Sequence, residues 1–191
     1  MTVALPIPSQ VPAGATHQGD GIVIGNGGVT VDAYLDFLCP FCKLFEQTSG
    51  PMLGAMVADG SATIVYHPMG FLDGLSTTHY SSRAAAASGC ASDLHKFPVF
   101  AHALFEDQPL EGGPGLTDAD LAEIGARVGI PRADFAPCVF GGRYLNWVDY
   151  VTQVALLRGV SGTPSVYVEG VPVPANPHTI AEAVHAITGI G

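Results

Sequence analysis

Positive charge is what this sequence has least of. Seven Lys and Arg stand against seventeen Asp and Glu, a formal net charge of −10. Nucleic-acid binders gather basic residues on one face. Seven scattered cations make no such face, so nucleic acid is excluded as a partner. No Lys or Arg precedes Lys43, whereas a secretory signal needs a basic start followed by an apolar stretch. The chain as numbered therefore shows no export signal: either the protein is cytosolic or a signal or anchor has been removed. No apolar run approaches the roughly 18 residues of a membrane-spanning helix. Charge of either sign is sparse, 13% of 191 residues, while hydrophobic residues make up 48%. A chain of that composition buries enough apolar surface to fold and is not disordered. Its length suits one domain, or one domain carrying an insertion.

Cysteine is the other scarce residue, with four in all. Cys39 and Cys42 form a C-x-x-C, and Cys90 and Cys138 stand alone. Four cysteines allow three pairings. Treating the C-x-x-C as one unit leaves 90–138 as the second pair, with two buried free thiols as the alternative. A stable second disulfide would indicate an oxidising compartment.

Residues 1–20 carry Pro6, Pro8, Pro12, Gly14 and Gly19 with little periodicity and read as an extended arm. Residues 22–24 suit a short strand, followed by the turn signal Gly25-Asn26-Gly27-Gly28. Residues 29–37 alternate apolar and polar side chains, the pattern of a strand. From Pro40 the period becomes helical, with Pro40 suited to a first-turn position. Pro51 is expected to kink or interrupt this helix, which ends at Asp59-Gly60. Residues 62–68 read as a strand. Residues 76–158 are helical almost throughout, with a loop at 110–115, Thr117 as an N-cap and a long helix over 144–158. Strands at 165–168 and 171–174 and a helix over 177–187 complete an α/β pattern.

A C-x-x-C between strand and helix has a physical logic. The first sulfur sits at the helix N-terminus, where free N–H groups and the dipole favour negative charge. Cys39 is then the low-pKa nucleophile, and Cys42, one turn deeper, the resolving partner. A structural zinc would need about four Cys or His ligands. Neither Cys90 nor Cys138 has a partner at such spacing, so no metal is expected. His67, His79, His95, His102 and His178 have no ligand-like spacing and read as core-edge or surface residues. Asp36 reads as a polar residue at a strand end.

At two segments the sequence resembles the DsbA-like branch of the thioredoxin superfamily: residues 31–42, VDAYLDFLCPFC, and residues 159–170, GVSGTPSVYVEG. The resemblance covers most of residues 20–188. It implies a thioredoxin fold in two parts, residues 21–75 and 159–191, around a helical insertion over residues 76–158, with residues 1–20 as an unmatched N-terminal arm. It implies a cis-proline at Pro164, preceded by Thr163, against an active-site loop formed by Pro40 and Phe41 between Cys39 and Cys42. Glu46 falls where many members carry a buried acid that moves the resolving proton, an exposed helix residue being the alternative. Secreted actinobacterial members carry an extra disulfide inside the insertion, where Cys90 and Cys138 lie.

The activity implied is that of a thiol-disulfide oxidoreductase without a cofactor, an oxidase acting on reduced, exported proteins as an extracytoplasmic monomer and recharged by a membrane reoxidase. Isomerases of the superfamily carry a dimerisation region ahead of the thioredoxin half, and about 20 residues are too few for one. The enterobacterial-type enzyme has a His where this chain has Phe41, which cannot hydrogen-bond the thiolate. That substitution moves the expected potential away from the most oxidising end of the family. Disulfide isomerase or reductase activity, and a non-catalytic thioredoxin-like binding module, are the alternatives. Cytosolic glutathione-dependent relatives mostly keep one catalytic thiol or none, unlike the pair here.

Overall fold

Residues 5–189 are described by a computed structural model. Five strands, β1 (Ile22–Ile24), β2 (Val29–Leu35), β3 (Ala62–Pro68), β4 (Ser165–Val168) and β5 (Val171–Val173), form one sheet in the order β1-β3-β2-β4-β5. Only β2 and β3 run parallel. Helices α1 (Pro40–Ala58), α2 (Tyr80–Asp93), α3 (Phe97–Glu106), α4 (Asp118–Arg127), α5 (Arg132–Phe140), α6 (Leu145–Leu157) and α7 (Pro177–Thr188) surround it.

Alternation along β2 assigns the two faces. Leu35 and its neighbour Tyr66 on β3 look towards α1 and α3, and α7 packs beside α1. Tyr34 and His67 look the other way, towards α6 and residues 16–20. Both faces of the central parallel pair are covered, which is the usual requirement for parallel strands.

Two expectations are revised. The strand expected over 29–37 stops at Leu35. Asp36 leaves the ladder because its N–H points to Cys42 Sγ and its carbonyl accepts the Cys39 N–H, closing a turn. The helix beginning at Pro40 is not interrupted at Pro51 but runs on to Ala58. Pro51 and Gln47 lie on the solvent side, so the carbonyl left without a donor one turn earlier is on the exposed face of the helix.

Of the extended N-terminal arm, residues 5–20 are described, and they run as a strap tied to α2 and α6. Ala13 donates to Asp93 and accepts from Ser92, both on α2. Trp147 Nε1 and Tyr150 OH on α6 donate to the carbonyls of Gly19 and Gln18, each at 2.7 Å. Buried Asp20 pairs with Arg158 just after α6. Gly19 has φ +71° and sits against Ile7 and Val11, leaving no room for a side chain. In α2 the small residues Ala84–Ala87, Ser88 and Ala91 are buried, letting α3, α5 and α6 approach closely. Cys90 on α2 and Cys138 on α5 are bonded, with Cα atoms 5.9 Å apart and a sequence separation of 48.

Loop closure of that length corresponds to about 4 kcal/mol. The double variant Cys90→Ser/Cys138→Ser is therefore expected to lose up to about that much stability. Urea unfolding followed by circular dichroism measures it, and a loss below about 1 kcal/mol would show that the bridge does little for the fold.

Candidate active site

The parallel β2–β3 pair delivers the chain into α1 through a buried turn, Asp36-Phe37-Leu38-Cys39. Cys39 is the N-cap of α1, in extended conformation and without a side-chain cap of its own. Its carbonyl accepts the N–H groups of Cys42 and Lys43. Cys39 is 5% exposed and Cys42 not at all. Strand β4 pairs antiparallel with β2, with Tyr34 opposite Ser165. The residues just before β4 therefore lie beside those just after β2. That register brings Thr163 and Pro164, joined by a cis peptide bond, to the sulfurs. The Thr163 carbonyl oxygen lies 3.3 Å from Cys39 Sγ and accepts its S–H.

The two thiols are unequal. Cys39 is lowered to about 6, above all by the Cys42 thiol donating to its sulfur. Burial opposes this, while Thr163 and the N–H groups of Cys42 and Phe41 add to it. The Thr163 carbonyl favours the protonated thiol, but the donors converging on the sulfur outweigh it. Cys42 is pushed well above the ordinary thiol range, first by burial and then by donating to, and sitting beside, the Cys39 sulfur.

The acid at this site is Asp36, which its place at a strand end had marked only as polar. It is fully buried. Oδ1 accepts from Leu38 N at 2.9 Å and Ser81 Oγ at 2.7 Å, and Oδ2 accepts from Leu72 N at 2.8 Å. Its N–H lies 3.5 Å from Cys42 Sγ. Burial raises its carboxyl to about 6 despite those three donors, and the Cys39 charge adds to the rise. Glu46, expected either to relay a proton or to be an exposed helix residue, is turned towards α3. Its carboxylate pairs with His102 on α3 at 3.1 Å and borders an apolar cavity of about 250 Å³ between α1 and α3. One helical turn past Cys42 carries a side chain around to the α3 side. The strand end, by contrast, is sealed by α2.

Gln108, which nothing in the sequence singled out, reaches the turn from the loop after α3. Between the two cysteines Phe41 is 70% exposed, and Leu110, two residues after Gln108, is 88% exposed. The histidines lie elsewhere. His67 is buried between the Asp20 carbonyl and the Asp32 carboxylate. His79 and His178 are largely exposed. Among the described residues no group of three or more His, Cys, Asp or Glu is placed to hold a metal ion, and no helix is long and apolar enough to cross a membrane.

Known proteins share this arrangement. A thioredoxin family model matches residues 17–188. Reduced DsbA from Mycobacterium tuberculosis superposes with a TM-score of 0.79 at 30% identity, covering 89% of this chain and 93% of that one. The reduced disulfide bond oxidoreductase DsbG of the same organism gives 0.79 at 31%, covering 90% and 88%. MdbA of Actinomyces oris, at 22% identity and a TM-score of 0.73 over 94% and 92% of the chains, shares the fold. A segment of the serine/threonine-protein kinase PknE of M. tuberculosis is 34% identical over 161 residues, 78% of this chain. The chain spans only 28% of that kinase's length. Matched over nearly its whole length, the chain belongs to the thioredoxin family, in its DsbA-like branch of thiol-disulfide oxidoreductases.

Proposed function

We propose that the protein is an oxidase, donating the Cys39–Cys42 disulfide to reduced, unfolded exported proteins. The observation that carries this reading is the inequality of the thiols: a sulfur at the helix start that holds a proton weakly beside a fully buried one that holds it tightly. In the oxidised protein a substrate thiolate attacks Cys39 Sγ, the Cys39–Cys42 bond breaks and the electron pair goes to Cys42. The Asp36 N–H faces that sulfur as it takes up a proton, and the Asp36 carboxyl, titrating near 6, is the nearby buried group suited to exchange it. A second substrate thiolate then attacks the substrate sulfur of the mixed disulfide. Cys39 leaves as a thiolate, and its low pKa favours this step.

Thr163, on the loop beside Cys39, offers a backbone edge to an extended substrate, a sequence-tolerant mode of binding. Exposed Phe41, Leu44 and Leu110 suit apolar segments of an unfolded chain. The Cys90–Cys138 bridge supports an extracytoplasmic site of action. Regeneration of the disulfide needs an electron acceptor, for which a membrane reoxidase is the proposed partner. Phe41 in place of a hydrogen-bonding residue sets the potential away from the family's oxidising extreme.

The reduction potential is expected between roughly −120 and −200 mV. Equilibration with glutathione buffers measures it, and a value near −270 mV would make the protein a reductase. Efficient rescue of scrambled ribonuclease would make it an isomerase. Cys42→Ser is expected to accumulate mixed disulfides with substrate, and Cys39→Ser to form none.

The reduced protein should alkylate at Cys39 alone, with a rate that rises with pH and is half-maximal near 6. The same depressed value stabilises the reduced fold. That stabilisation is complete above the ordinary thiol value of 9.0 and is lost as pH falls through about 6. The thermal midpoint of the reduced protein, relative to the oxidised one, should therefore fall between pH 8 and pH 5. A gap independent of pH would show that Cys39 is not a thiolate at neutrality.

A further inference from the structure

We infer that Gln108 is a positioning residue for the redox turn, its side-chain amide holding the backbone on which Cys39 is carried. The inference rests on the reading of Cys39 as the reacting thiol. Gln108 Nε2 donates to the carbonyl oxygens of Phe37 and Cys39, each at 2.9 Å. A primary amide has two N–H donors, and both are spent on the two carbonyls that bracket the peptides leading into Cys39. The Phe37 carbonyl belongs to a buried residue, and among the described residues no other hydrogen bond reaches it.

The donor is itself held in place. Asp107, its neighbour, pairs with Arg127 on α4 at 2.6 Å. Pro109 restricts the backbone that follows, and Gly112 donates to the Leu75 carbonyl at 2.7 Å. A side chain from the helical part of the molecule thus clamps a turn that belongs to the sheet.

Without the amide, the Phe37 carbonyl is buried and unpaired, an unfavourable state that is relieved by rotating the peptide. Rotation there moves Cys39 relative to the Thr163 carbonyl and to the Cys42 and Phe41 N–H groups. It also leaves the Phe37 carbonyl dipole uncompensated next to the turn, while the Cys39 carbonyl keeps only the Cys42 and Lys43 N–H groups, and less donation to these carbonyls disfavours the thiolate. Clamping therefore favours the reduced, thiolate form.

The thiolate absorbance at 240 nm of the reduced protein, titrated with pH, reads this directly. Gln108→Leu keeps the bulk and removes both donors. It should raise the midpoint by about 0.5 unit or more, and a fixed glutathione buffer should reduce its disulfide roughly threefold less completely. Gln108→Glu, which turns acceptors towards both carbonyls, should raise the midpoint further. Arg132→Met removes the exposed pair with Glu123, which does not touch the loop that carries Gln108, and should leave the midpoint unchanged. A folded Gln108→Leu with the wild-type midpoint overturns the inference, as does an Arg132→Met shift of equal size. If Gln108→Leu fails to fold, Gln108→Asn, whose amide is one methylene short, must show an intermediate midpoint, and a wild-type value there overturns the inference too. A wild-type protein with no thiolate step near 6 would sink the reading of Cys39 and this inference together. A normal wild-type step untouched by Gln108→Leu sinks this inference alone.

Discussion

A carboxylate buried at the end of the central strand must be given hydrogen-bond donors or be expelled, because desolvating it unpaired costs several kcal/mol. In this protein the donors come from three places: Leu38 in the redox turn, Leu72 after β3, and Ser81 on α2. Satisfying Asp36 therefore requires the sheet, the loop beyond it and the helical part to meet at one point. The same residue's N–H is turned onto Cys42 Sγ. The constraint that ends strand β2 also fixes the depth of the second sulfur and brings a titratable group to its side.

The remaining connections divide the labour. The N-terminal strap fastens α2 and α6 through Asp93, Trp147, Tyr150 and Arg158, far from the sulfurs in the bonding network. Gln108 and Asp36 connect the helical part to the redox turn itself. The reacting sulfur is consequently supported from both sides: Thr163 ahead of β4, and side chains from a region that no minimal strand-helix-strand unit would supply. Electrostatic control of Cys39 is assembled mostly from uncharged groups, a thiol, N–H donors and a hydroxyl-bearing residue, as befits a chain with so few cations.

Much of this was readable in the residues. The alternation of β2, the change of period at Pro40 and the C-x-x-C at a helix start determined that an acidified thiol stands between a strand and a helix. The capping box at Thr117 and the small-residue run of α2 likewise follow from local chemistry. Such features depend on neighbours within a few positions, and the chain carries them wherever it goes. The end of β2 was misread by two residues, because the turn at Asp36 is set by a sulfur six positions away and not by propensity.

Which acid is buried beside the sulfurs is decided by tertiary structure alone. By spacing, Glu46 lies one turn past Cys42 and Asp36 on the polar side of a strand. Packing sets their surroundings: α3 brings His102 to Glu46, while α2 and the loop after β3 seal Asp36 from water. Gln108 lies 69 residues from Cys39 in the chain, with no pattern around it to mark it. Helix-start chemistry and strand alternation are local properties and so belong to the sequence itself. Burial of a given carboxylate and the reach of a distant amide depend on which surfaces the fold brings together, and only the folded chain determines them.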